Sequence, residues 1–134
     1  MTSTPFNTET DKASIPFTKE ACQFAKRSKL ADLKWQPHVG CFVWDESNKI
    51  KVASPFPNNI YFILNLGHFE KILGSIEEVK NAMIWLPTWH QARLLCNEFD
   101  IPHQIVYDAI SSKGNDVLTD ILELYRLILN ELTQ

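Results

Sequence analysis

At 134 residues, 45% hydrophobic and 22% charged with a net charge of −3, the chain has the size of one domain that buries a core without disulfides or a structural metal. Its three cysteines, Cys22, Cys41 and Cys96, are odd in number, far apart and set in apolar surroundings; this argues against a disulfide framework and predicts buried, reduced thiols in a cytoplasmic protein. The longest apolar tract is broken at Asn65 and Gly67, so neither a membrane span nor a secretory leader is expected.

Residues 1–16 are rich in Thr, Ser and Pro, a composition expected to form a flexible tail, and residues 17–134 are read as a single α+β domain. Thr18 has the chemistry of a helix cap, with Phe17 placed to staple against Cys22. In the helix that follows, Ala21, Phe24, Ala25, Ser28 and Ala31 share one side, opposite a basic face. From His38 the texture becomes aromatic and β-branched in three runs, His38–Trp44, Lys49–Ala53 and Asn59–Leu66. With only short spacers between them, they predict a three-stranded antiparallel meander over about 38–66. The third run is apolar on both of its faces, so helices or a second subunit must cover both sides of the sheet.

A short helix is expected over His68–Leu73, stopped by Gly74. Ser75 with Glu78 has capping-box spacing for another helix to about Met83, and Ile84-Trp85-Leu86, too short to assign by period, is read as either an edge strand or a link between helices. Pro87, Thr88 and Gln91 then mark a capped helix from Trp89 to Phe99, with Trp89, Ala92, Leu95, Cys96 and Phe99 on its inner stripe and His90, Arg93 and Asn97 away from it. Pro102 ends it. Residues 103–111 are read as either a helix or an extended segment. The last helix, Asp116 to about Leu132, carries an apolar arc of about 160°, wider than the roughly 100° of an ordinary surface helix. Its Val117, Leu124, Ile128 edge is therefore expected to stay uncovered in a monomer and to form a homodimer interface.

No pattern specifies chemistry. His38-x2-Cys41 has chelating spacing, but on a strand these residues point to opposite faces and no second pair completes a tetrahedral site, so no metal is expected. Phosphate-binding loops, dinucleotide fingerprints and nucleophile elbows are absent from the sequence, and no cofactor is implied. The basic cluster Lys19, Lys26, Arg27, Lys29 and Lys34 is diluted by Glu20 and Asp32 and reads as a solvated helix face, making nucleic acid an unlikely partner. Asp45-Glu46 falls in a turn and Glu77-Glu78 at a helix start, where acidic side chains suit the dipole. What remains is apolar and aromatic surface. The expectation is a small protein-interaction or adaptor domain binding a protein partner or itself, with Phe56, Trp85, Trp89 and His90 as candidate binding residues. The alternative is a small enzyme or small-molecule binder with a pocket between the meander and the Trp89 helix, using His68, His90 and Cys41.

Overall fold

The structure, a computed structural model, describes residues 15–111 and 117–134. Ile15 is already part of the core, so the end of the expected tail is packed; residues 1–14 lie outside the described residues. Helix α1 (Lys19–Leu30) is capped by Thr18, whose hydroxyl accepts the Ala21 N–H at 3.2 Å. Phe17 and Cys22 are buried in one cluster, as a hydrophobic staple requires. The helix ends in a Schellman turn: Leu33 N–H donates to the Ser28 carbonyl and Asp32 N–H to that of Lys29, with Asp32 at φ 71°.

Strand β1 (Phe42–Trp44) is central, paired antiparallel to β2 (Ile60–Phe62) on one edge and to β3 (Ile84–Leu86) on the other. The α+β class, the three-stranded antiparallel sheet and the flanking helices match the sequence reading. The make-up of the sheet does not. Lys49–Ala53 is not a strand, and the third strand is the Ile84–Leu86 segment that had no assignable period. Two effects account for the exchange. Buried Asp45 captures the N–H groups of Lys49 and Ile50 with its two carboxylate oxygens at 2.9 and 2.8 Å, turning the chain away from a ladder. Meanwhile Asp45 N–H donates to the Asn59 carbonyl, so that edge of β1 is already joined to the β2 segment. Gly40, at φ 99°, carries this pairing past the strand end by donating to the Ile63 carbonyl at 2.8 Å.

Alternation along the short strands sends Phe42, Trp44, Ile60, Ile84 and Leu86 to one face and Val43, Tyr61 and Trp85 to the other. On the Val43 face, α2 (Leu66–Leu73, capped by Asn65) and α3 (Ile76–Ala82, capped by Ser75) supply Phe69 and Val79 to a cluster with Cys41, Ile50, Ile63 and Met83. The opposite face is covered by α1 together with α4 (Trp89–Glu98), α5 (His103–Ser111) and α6 (Val117–Leu132). Helices therefore cover both sides of the sheet.

Helix α6 packs against α1, α4 and α5, and Ile121, Leu124, Tyr125, Ile128 and Leu129 are all buried. This corrects the expectation of an uncovered edge: Leu124 and Ile128 are spent within the chain, because three helices converge on α6 where a sheet face alone would have covered one side. The Val117 side chain lies outside those described. Among the described residues no helix is long and apolar enough to cross a membrane.

Candidate functional site

Helices α4 and α5 make an open hairpin, joined by residues 99–102 and each packed on α6. The start of α4 is fixed by a complete capping box, Gln91 N–H to the Thr88 hydroxyl at 3.1 Å and Thr88 N–H to the Gln91 side-chain carbonyl at 3.0 Å. Its end is a second Schellman turn, with Ile101 N–H to the Cys96 carbonyl, Asp100 N–H to that of Asn97, and Asp100 in the left-handed region at φ 57°. Pro102 cannot continue the helix; its carbonyl accepts the Ile105 and Val106 N–H groups and starts α5.

Both helices rest on α6 but make little contact with each other. The gap is a groove of about 320 Å³. The Schellman turn brings Ile101 and Cys96 to it together, the apolar pairing such turns favour. Leu94 and Val106 complete its apolar lining, and the polar lining is His90, Arg93, Asn97 and His103, with no acidic residue. Leu94 is 53% exposed, and Trp89 (43%), Ile105 (48%) and Tyr107 (67%) are exposed on the same two helices. The Arg93 guanidinium lies over the Trp89 ring, 4.9 Å from its centroid, an arrangement that holds both side chains in place. Burial pushes the Cys96 thiol up against a smaller opposing effect of Arg93, so it is protonated at neutral pH and serves as apolar lining, not as a nucleophile.

Of the candidate binding residues, His90 lines this groove, and Trp89, outside its lining, lies under the Arg93 guanidinium. Trp89 does not sit in the core as its place on the inner stripe suggested. Phe56 has more cover than its prolines implied: it packs edge-on to Phe42 at 5.7 Å and joins the core. Trp85 is stacked on Trp35 with centroids 6.0 Å apart and contributes to both clusters. The alternative trio is not assembled. His90 borders the α4–α5 groove, Cys41 is buried on the opposite face of the sheet, and His68 lies in the first turn of α2, where its N–H meets the Asn65 cap. Burial also pushes the Cys41 thiol up. His38 and Cys41 share a backbone turn, but the His38 ring hydrogen-bonds to Gln36 and Gln91 while the Cys41 thiol is buried. Among the described residues no group of three or more His, Cys, Asp or Glu side chains is placed to hold a metal ion.

Leu94, Ile101, His103 and Val106 were not singled out from sequence. Once 103–111 is taken as helical, the i, i+3 spacing of His103 and Val106 is the signal that would have found half of them.

A larger hollow of about 430 Å³ lies between α1, the 46–49 segment and α2–α3, with Lys26, Lys29, Lys49, Glu46 and Glu78 in its lining. Two of its cations are engaged: Lys26 pairs with Glu46 at 2.7 Å, and Lys29 donates to the carbonyls of Asn81 and Met83 at 2.6 and 2.9 Å. Burial lowers the pKa of Lys29, partly offset by Glu46. Elsewhere in the basic cluster, Lys34 pairs with Asp32 and Arg27 lies over the Phe24 ring. No protein-family model, no curated protein and no solved structure matches this chain.

Proposed function

We propose that this chain is a protein-interaction domain whose docking surface is the α4–α5 groove and the apolar residues beside it. One observation carries the reading. The described part of the α6 arc is buried, whereas Leu94 stands exposed in the wall of a groove between two consecutive helices that also expose Trp89, Ile105 and Tyr107. Tryptophan, tyrosine and arginine dominate binding energy at protein interfaces, and this face offers Trp89, Tyr107 and Arg93. The groove is at the small end of the roughly 300–1,000 Å³ range of ligand pockets. With its thiol protonated and the His68, His90, Cys41 trio unassembled, its chemistry favours docking over catalysis.

A photo-reactive residue at position 94, expressed in the source cell, should give a discrete protein adduct. The same residue at Leu64, an exposed leucine outside the groove, should not, and His103→Glu, on the α5 wall of the groove, should abolish the adduct from position 94. If the adduct is a second copy of the chain, the domain is a homodimer through α4 and α5. Equal, diffuse labelling from positions 64 and 94 would defeat the reading.

A further inference from the structure

We infer that the segment docking in the α4–α5 groove is an amphipathic helix that presents Asp or Glu beside its apolar side chains; this rests on the docking surface proposed above. The groove has an apolar lining and a one-signed border. Among the described residues Arg93 forms no ion pair, although the chain carries an acidic excess overall. The acidic residues on this hairpin, Glu98, Asp100 and Asp108, do not line the groove, and Asp108 is engaged by the Gln104 amide at 2.8 Å. Arg93 lies over Trp89 and lines the groove, and a carboxylate is the acceptor that guanidinium binds in bidentate fashion. His90, His103 and the Asn97 amide add donors along the same border. A basic segment would bring its cations against Arg93 with no acidic lining to compensate.

Length favours a helical occupant. His90, Leu94 and Asn97 follow one another at i, i+4 and i+7 along α4, a run of two turns or about 10 Å. Two turns of an amphipathic helix laid between α4 and α5 would match it, in the manner of helix-in-groove recognition.

The test uses two acetylated, amidated synthetic peptides of about 15 residues, long enough for helix formation. Both carry leucines at i, i+3 and i+7, with flanking glutamates in one and lysines in the other. Titrated into the ¹⁵N-labelled full chain, the glutamate peptide should shift amides in 90–97 and 101–107 and bind at least about tenfold more tightly than the lysine peptide. Arg93→Gln should erase that preference and Arg93→Glu should reverse it, with unchanged melting curves showing that both variants fold. Equal or stronger binding of the lysine peptide, shifts that map elsewhere, a preference surviving Arg93→Glu, or no binding by either peptide would each overturn the inference. Adduct formation from position 94 would still stand in those cases, so a wrong partner chemistry is distinguishable from a wrong surface.

Discussion

Helix α6 carries a wide apolar arc, and Ile121, Leu124, Tyr125, Ile128 and Leu129 within it are buried; α4 has a narrower inner stripe and leaves Trp89 and Leu94 in solvent. The difference lies in their neighbours. α6 is the axis on which α1, α4 and α5 all pack, so the described part of its arc is covered from three sides. α4 meets α6 on one side only, and the Schellman turn at Asp100 directs α5 away from it, leaving a groove where a further contact would have been. The amount of apolar surface on a helix is therefore a poor guide to how much remains available for binding. What decides is how many neighbours the connections deliver.

The strongest way to break this contrast is to truncate one leucine on each helix. Leu124→Ala removes a fully buried side chain and should cost about 3 kcal/mol, the usual range for a leucine cavity being roughly 2–5 kcal/mol. Leu94→Ala should stay within about 0.5 kcal/mol, as exposed substitutions do. Urea unfolding of both variants decides, and similar losses would contradict the assignment of inside and outside.

A second effect comes from groups around α6. Burial raises Cys22 from an ordinary value of 9.0 to about 11, and pushes Tyr125 well above its ordinary value with a smaller push from Cys22; Tyr125 also donates from its hydroxyl to the Pro87 carbonyl. These groups are neutral when protonated, and the unfolded chain loses their protons first. Their contribution is therefore intact below about pH 9 and is lost as the pH rises toward the folded values. Cys22 alone should remove about 2 kcal/mol between pH 9 and 11. Unfolding midpoints measured across that window should fall, and less steeply in Cys22→Ala; a flat profile would place the thiol in water.

The smallest change sharpens the account of the hairpin. Asp100 holds a left-handed conformation, which costs an L-residue about 1 kcal/mol and glycine almost nothing. Asp100→Gly should raise stability by about 0.5 kcal/mol, since glycine's greater unfolded entropy offsets part of the gain. Asp100→Ala should lower it. A destabilising glycine, seen in the same unfolding experiment, would mean that the aspartate side chain holds the turn by a bond of its own.

How far the sequence could be read followed the range of the forces involved. Thr18, Ser75 and Thr88 were legible as caps because a cap is made within four residues. The first and third aromatic runs supply β1 and β2. Lys49–Ala53 misled because its β-branched texture was intact while the Asp45 side chain diverted its backbone, and Ile84–Leu86 was too short to show any period. For α5, the missing signal was an N-cap, since the Pro102 carbonyl starts it. Near the candidate site, the sequence singled out Trp89 and His90 but not Leu94 or the α5 half. That groove depends on α4 and α5 sharing a neighbour without touching much, a tertiary relation that no local pattern encodes.

Hydroxyl-radical footprinting of side chains, run on the purified chain and again inside the source cell, tests the central claim most directly. The account predicts that Trp89, Leu94 and Tyr107 are labelled readily in the purified protein and several-fold less in the cell, while the exposed Leu30 and Leu64 are labelled equally in both. Unchanged labelling of Trp89, Leu94 and Tyr107, or protection centred on Leu30 and Leu64, would contradict it.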